Sequence, residues 1–168
     1  MYKLLTINEN MGKDVYQMYQ DIPKEEIGSS NIIFGKTFEE YKQILKQFKQ
    51  EETIKNEKLN TTTNRYIFYF NNIPIGEIAI RTTLNDFWLN KGSQIFYKIR
   101  KSYRNKGHGT KMLDLALKEC IKLGMKKIYI NCNDKNFASK RIIEKNEGQK
   151  TFNYGESSRY EINLDKIF

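Results

Sequence analysis

Cysteine and histidine are scarce. Cys120 and Cys132 are the only cysteines in 168 residues, and His108 is the only histidine. Two isolated cysteines suggest neither a disulfide framework nor a thiolate metal site, and they fit a reducing compartment. A single histidine excludes a multi-histidine zinc site within one chain, so no metal is expected. Two prolines are too few for a proline-rich linker. No apolar run approaches the roughly 18 residues that a membrane span needs. The stretch Met1–Ile7 has no sustained apolar region and no small-residue cleavage site, so it does not read as a signal peptide. A cytoplasmic protein with no membrane association is expected.

Apolar residues make up 39% of the chain, with ten Phe, eleven Tyr and one Trp. That load supports one hydrophobic core of ordinary size and argues against disorder. No repeat or low-complexity linker divides the chain, so residues 1–168 read as a single domain. The 29 basic and 20 acidic residues leave a net charge of +9. A basic excess suits nucleic acid or a phosphate-rich ligand. Here the basic residues are scattered, Lys far exceeds Arg, and no block of like charges forms a tail. The charge therefore reads first as compositional bias, and a nucleic-acid partner is not expected.

Along the chain, Met1–Asn8 reads as a strand. Lys13–Gln20 reads as a helix carrying Val15, Met18 and Tyr19 on one face. Asp21–Gly35 is a loop with Gly28, Ser29, Ser30 and Asn31 as breakers. Thr37 is the expected cap of a helix running to about Gln50, with Glu39 and Glu40 in its first turn. Glu51–Thr63 is polar and reads as a mobile loop. Arg65–Phe70 and Ile75–Thr82 form a hairpin about Asn71–Pro74. Leu84–Gly92 is a connection with one helical turn around Phe87 and Trp88. Ser93–Arg100 is a strand, and Gly107–Leu123 is the clearest helix, closed by Gly124. Lys127–Cys132 is a buried strand, Asn136–Asn146 a helix, and Gln149–Tyr154 with Arg159–Leu164 a last hairpin.

The informative stretch is Arg104-Asn105-Lys106-Gly107-His108-Gly109-Thr110, between a strand and a helix. The first turn of a helix leaves backbone N–H groups without intrahelical partners, and the helix dipole favours an anion there. Gly107 and Gly109 remove side chains that would hold a phosphate away from the backbone. Lys101, Arg104, Lys106 and Lys111 add positive charge. Hydrogen bonds to charged groups are worth roughly 1.5–3 kcal/mol each, so several together could hold a pyrophosphate. The stretch lacks the Gly-Lys-Ser/Thr ending of a P-loop and the three-glycine spacing of a dinucleotide fingerprint. The residues alone reach an anion site at a helix N-terminus.

Arg104-Asn105-Lys106-Gly107-His108-Gly109 resembles the Arg/Gln-x-x-Gly-x-Gly/Ala motif of the GNAT acetyltransferases. Ile95–Arg100 looks like that family's fourth strand, and Ile128–Cys132 like its fifth. Asn136-Phe137-Ala138-Ser139 with Ile142–Asn146 looks like its motif B. The resemblance runs in order from about Tyr66 to Leu164. It implies an α/β fold with a central mixed, mostly antiparallel sheet flanked by helices. It also implies acetyl-CoA as co-substrate, bound in an opening between the fourth and fifth strands. On that resemblance the backbone of Tyr97, Lys98 and Ile99 holds the acetyl-pantetheine arm. Arg104 opens the pyrophosphate loop, whose amides run through Asn105, Lys106, Gly107, His108, Gly109 and Thr110. Asn136 hydrogen-bonds the pantetheine, and the His108 side chain is a bystander.

The implied reaction is direct attack of an amine on the thioester, with an oxyanion held by a backbone N–H and an acid to protonate the thiolate. The sequence departs from the family here. The usual acid is a Tyr seven residues after the motif B Asn, and that position is Ile143. The common glycine near the end of this helix is Glu147, followed by Gly148. Tyr160 is the candidate acid, with Tyr154 and Cys132 nearby in sequence pattern. Glu77 is the candidate base, although it also reads as an ion-pair partner of Arg81 on the same strand face. Asp134 is a weaker candidate. The acceptor side falls on Asp21–Gly35, with Tyr19, Phe34 and Trp88 near it.

The expected function is transfer of an acetyl group to a primary amine of a small molecule or protein. The missing Tyr keeps open a non-catalytic acyl-CoA-binding module. GNAT folds often dimerise, so a homodimer is a possible assembly.

Overall fold

The computed structural model describes residues 1–58, 60–83 and 92–167. The expected helical turn around Phe87 and Trp88 lies outside the described residues. The elements in order are β1 (Tyr2–Thr6), α1 (Lys13–Gln20), β2 (Glu25–Glu26), β3 (Ser29–Ser30), α2 (Phe38–Gln50), β4 (Thr63–Phe70) and β5 (Ile73–Arg81). Then follow β6 (Ile95–Ile99), α3 (His108–Lys122), β7 (Lys127–Asn133), α4 (Phe137–Glu144), β8 (Gln149–Tyr154) and β9 (Ser157–Asn163). Short 3-10 turns span Lys101–Tyr103 and Leu164–Lys166.

Local chemistry accounts for the main elements. Thr37 caps α2 through a full capping box: its Oγ1 accepts from Glu40 N at 3.2 Å, and its own N–H donates to Glu40 Oε2 at 2.7 Å. Asn71 and Asn72, both left-handed with φ of 48° and 63°, make the two-residue turn between β4 and β5. Two consecutive left-handed residues match the twist of a hairpin, and Asn tolerates that region well. Gly124, at φ 78°, ends α3 in the left-handed position. Met125 N then bonds to Cys120 O and Gly124 N to Ile121 O, which satisfies two carbonyls of the last turn.

Two expectations change. The described part of residues 51–63 is tethered: Thr63 N donates to Glu51 O at 2.8 Å, Asn56 bridges Thr61, and Thr61 is buried. The loop Asp21–Gly35 contains the small β2–β3 hairpin, which begins at Glu25.

The α/β architecture is the expected one, mostly antiparallel and flanked by helices. It is divided into a four-stranded sheet, β1-β4-β5-β6, and a three-stranded sheet, β7-β9-β8, in which every ladder is antiparallel. Helix α3 connects them. Its Met112, Leu113, Ala116, Leu117 and Cys120 pack in one core with Ile78 and Ile80 of β5, Ile128 and Ile130 of β7, and Ile162 of β9. Helices α1 and α2 build a second core with Ile67 and Tyr69 of β4. Strand β5 is covered by α1 and by α3, so Pro74–Ile80 is buried without the simple alternation of a one-sided sheet. Among the described residues no helix is long and apolar enough to cross a membrane.

The two sheets meet at the start of β6. Gln94 N donates to Tyr129 O at 2.8 Å, and Tyr129 N donates to the Gln94 side-chain Oε1 at 2.9 Å. Beyond that point β6 and β7 share no ladder among the described residues. The edge of β6 from Tyr97 to Ile99 faces the gap.

Candidate active site

The loop before α3 has the conformation an anion site needs. Asn105 and Gly107 are left-handed, at φ 60° and 82°, and Lys106 between them is not. Such alternation turns successive N–H groups to one side. The first intrahelical bond of α3 runs from Lys111 N to Gly107 O. The amides of His108, Gly109 and Thr110 therefore have no intrahelical acceptor. Among the described residues, none of the six amides from Asn105 to Thr110 donates a hydrogen bond. A Cβ on Gly107 would meet nothing within 4 Å, so the approach to this loop is open.

Gly109 is small for another reason than the one expected. A Cβ there would lie 2.4 Å from Ile142 Cδ1 and 3.5 Å from Ile99 Cδ1. This glycine lets α3 close on α4 and β6. The positive charge around the loop is partly engaged within the protein. Lys111 pairs with Asp114 at 2.7 Å, and Lys106 Nζ donates to Ser102 O at 2.8 Å. The Arg104 guanidinium grips both Glu26 oxygens and donates to Ile99 O.

The side chains of three residues expected at the cofactor, Lys98 among them through its backbone only, hold the β2–β3 hairpin against the gap. Arg104 pairs with Glu26, Lys98 Nζ donates to Ser30 O at 2.9 Å, and Asn136 Nδ2 donates to Ile27 O at 3.0 Å. The Asn136 Oδ1 also accepts from Ser139 N, capping α4. Arg100 anchors the start of the same loop through Asp21. No local pattern in the sequence announces these contacts, which join residues about seventy to a hundred apart in the chain.

The expected Glu77–Arg81 pair does not form. Glu77 instead receives Arg65 Nη1 at 2.9 Å and Lys98 Nζ at 3.4 Å. The reason is register. Lys98 lies directly opposite Glu77 on β6, and Arg65 is diagonal to it on β4, whereas residues four apart on one strand are about 13 Å apart. Burial alone would raise the Glu77 carboxyl; Lys98 and Arg65 more than reverse this and hold it below the usual carboxylate range. Tyr19 is fully buried nearby, and burial together with the Glu77 charge pushes its hydroxyl well up. Arg65 also bonds Glu51 at 3.0 Å. The signal for Arg65 was a charged residue at the head of the apolar run Tyr66–Phe70. Phe34 is 42% exposed on the loop surface, and Trp88 lies outside the described residues.

In the second sheet, Tyr160 stands on β9 opposite Ile130 and is 1% exposed. Burial, then the charges of Glu144, Cys132 and Asp134, raise its hydroxyl, so it holds its proton at neutral pH. Tyr97, raised by burial, bonds Ser139 Oγ at 2.7 Å and so links β6 to α4. Sequence reasoning considered only the Tyr97 backbone. Cys132 is buried and its thiol is raised by burial. Burial likewise pushes Cys120 up to about 12. Asp134 is engaged by Ser158 Oγ at 2.5 Å and by Asn153, and the Ser158 bond lowers its carboxyl. Ile143, at the usual acid position, is fully buried in the core.

Between the hairpin and β5–β6 lies a cavity of about 360 Å³, with Tyr97 and Lys98 at one end and Arg81 and Ser93 at the other.

Comparison with known proteins places these features in context. The sequence profile described as "Acetyltransferase (GNAT) domain" matches residues 22–149. Compared with curated proteins, the sequence gives no match. The fold is similar to several solved structures. One is the ribosomal L7/L12 alpha-N-protein acetyltransferase RimL in complex with coenzyme A, at 15% identity and TM-score 0.72, covering 98% of this chain and 94% of that one. Another is the Campylobacter jejuni N-acetyltransferase PseH in complex with acetyl coenzyme A, at 13% identity and TM-score 0.64, covering 97% and 99%. A third is the aminoglycoside acetyltransferase AAC(6')-Ib in complex with coenzyme A, at 16% identity and TM-score 0.66, covering 97% and 95%.

Proposed function

Since the chain belongs to the GNAT acetyltransferase family, we propose that it transfers an acetyl group from acetyl-CoA to a primary amine by direct attack, as a single domain acting in the cytoplasm. The observation that carries the cofactor is the run of six undonated amides from Asn105 to Thr110, where Asn105 and Gly107 are left-handed. They fit a pyrophosphate in number and direction.

In this reading the main chain of Tyr97, Lys98 and Ile99, on the open edge of β6, holds the pantetheine arm. The Asn136 amide offers its Nδ2 to that arm in place of Ile27 O. Arg104 acts through the hairpin and the Ile99 carbonyl, and His108 contributes its N–H. Bound acetyl-CoA supplies a thioester carbonyl. A β6 N–H faces its oxygen as charge builds there. The amine nitrogen forms the new bond to carbon, the carbon–sulfur bond breaks, and the ammonium proton leaves to solvent. Tyr160 gives its proton to the departing sulfur and regains one from water.

Glu77 suits a different task from the base read in the sequence. A carboxylate held by two cations and lowered in pKa is a weak proton acceptor. It positions Lys98, and water carries the amine proton. The solved relatives include enzymes named for a ribosomal protein and for aminoglycosides. The acceptor is accordingly a protein or small-molecule amine.

The test is calorimetric titration of acetyl-CoA into the wild type and Gly107→Trp, followed by a thiol-release assay over a broad amine panel. Micromolar binding lost in Gly107→Trp supports the loop assignment, and thiol release supports transfer. Absent binding in the wild type overturns the reading. Binding without release on any amine favours the non-catalytic alternative. Tyr160→Phe is expected to lower kcat about 10²-fold or more if Tyr160 is the acid.

A further inference from the structure

We propose that the acceptor amine carries an oxyanion group, a carboxylate or a phosphate, and that Arg81 binds it beside Arg65. This names the substrate class of the same site and rests on the acetyltransferase reading.

The cavity next to Lys98 continues past Phe96 into a second one of about 400 Å³, and Arg65, Arg81 and Phe96 line both. The two guanidinium groups flank one ring: Arg65 Cζ lies 5.3 Å and Arg81 Cζ 4.9 Å from the Phe96 centroid. Four cations line the two cavities, Lys98, Arg65, Arg81 and the exposed Lys55, with two carboxylates, Glu51 and Glu77. The carboxylates are taken: Glu77 by Arg65 and Lys98, Glu51 by Arg65. Arg81 is the guanidinium left without a carboxylate. Its Nη1 donates to Ser93 O at 3.1 Å, and among the described residues no carboxylate pairs with it.

A half-buried guanidinium in that position is costly. Burial, then the neighbouring Arg65 charge, disfavour its charged form, with Glu51 partly offsetting them. An anion in the trough would relieve both effects. Arginine, with its planar fork of donors, matches a carboxylate or phosphate in geometry as well as charge.

The spacing suits one small molecule. Phe96 is two residues before Lys98 on β6, a separation of about 7 Å. An acceptor whose amine reaches the Lys98 end would place a group that far away against the two guanidiniums. Short ω-amino acids, dipeptides and amino sugar phosphates have that span. Uncharged amines would leave Arg81 unpaired.

The experiment measures thiol release from acetyl-CoA over amines in matched pairs. One arm sets ω-amino acids, α-amino acids and dipeptides against their carboxamides. A second arm sets amino sugar phosphates against the parent amino sugars, so the arms separate carboxylate from phosphate. In one arm the anionic member is expected to have a KM at least about tenfold lower, as one charge-assisted hydrogen bond implies. Arg81→Gln should raise that KM about tenfold or more, with kcat within threefold. The neutral partners and the Kd for acetyl-CoA should not change, and retained acetyl-CoA binding reports a folded variant. Arg81→Lys should recover part of the loss. Equal KM values within pairs, or equal losses on charged and neutral members in Arg81→Gln, overturn the inference and leave the acetyltransferase standing. Absence of thiol release on every member of both arms overturns the acetyltransferase reading and this inference with it.

Discussion

Arg104 holds both carboxylate oxygens of Glu26, at 2.7 and 2.8 Å, while the same guanidinium donates to the carbonyl of Ile99. One side chain thus joins the loop before α3, the end of β6 and the hairpin over the gap. Both groups are mostly covered, so the pair contributes about 1 kcal/mol. Arg104→Gln and Glu26→Gln are each expected to speed hydrogen exchange in residues 25–30. The Kd for acetyl-CoA should stay within about threefold, because Arg104 is not assigned a side-chain contact to it. A selective loss of acetyl-CoA affinity in Arg104→Gln alone would contradict this role.

Gly76 lies opposite Ile99, and a Cβ there would stand 2.6 Å from the Lys98 carbonyl oxygen. The obstacle is backbone, so β5 and β6 must separate. Gly76→Ala is expected to lose about 1–3 kcal/mol in urea unfolding, the usual cost of overpacking. It should also weaken acetyl-CoA binding, since the displaced segment is the β6 edge. Unchanged values for both would show that the strands yield freely.

Helix α4 ends as α3 does, with Gly148 N bonded to Ile143 O and Glu147 N to Glu144 O. The left-handed position is held by Glu147 at φ 62°, where α3 has Gly124. A Cβ on a left-handed residue costs roughly 1–2 kcal/mol, against which glycine gives back some unfolded-state entropy. Exposed Glu147→Gly is therefore expected to stabilise the protein by about 0.5–1 kcal/mol. Thermal unfolding checks this; a lower Tm would mean that the Glu147 side chain contributes more than the strain. Gly148 must stay as it is, since its Cβ would meet Ile143 Cγ2 at 2.3 Å and Ile143 O at 2.8 Å.

His108 is buried among aromatic rings, with Nδ1 2.9 Å from the Tyr2 hydroxyl. Burial, then Lys106, push its pKa below the usual 6.5. The folded protein therefore favours neutral imidazole, and the unfolded chain takes up the proton first as pH falls. The stability contribution is complete above pH 6.5 and is lost as pH drops through the depressed value. Urea midpoints should decline over that window in the wild type and less steeply in His108→Phe. The lowered carboxylates Glu40, Glu77, Asp114 and Asp134 act in a separate range, beginning below 4.5. A midpoint that is flat until pH 4.5 would contradict the assignment.

Short-range order was legible in the sequence. The α3 stripe, the Thr37 cap and Gly124 each follow from neighbours a few residues apart, where spacing alone carries the physics; the turn read at Asn71–Pro74 is only Asn71–Asn72, since Ile73 and Pro74 already pair in β5. The α3 stripe was read one residue too wide, since Ile121 is 40% exposed. What spacing could not carry was partnership across the fold. Glu77 and Arg81 share a strand face and looked paired, but cross-strand neighbours Lys98 and Arg65 lie closer. Gly109 looked like a phosphate glycine until Ile142 stood against it. The β2–β3 hairpin has two residues per strand, too few for any period, and it exists through Arg104, Lys98 and Asn136.

Where the two sheets part, a side-chain amide takes a place in the backbone bonding. Gln94 uses its side chain to accept from Tyr129 N, standing in for a backbone carbonyl at the last point of contact. Each residue of strand advances the chain by about 3.3 Å. Moving such a substitute one position along β6 would deepen or shorten the slot by that step. If the slot holds the acyl donor as proposed, the reach of the donor is open to adjustment through one side chain, with the core beneath left as it is.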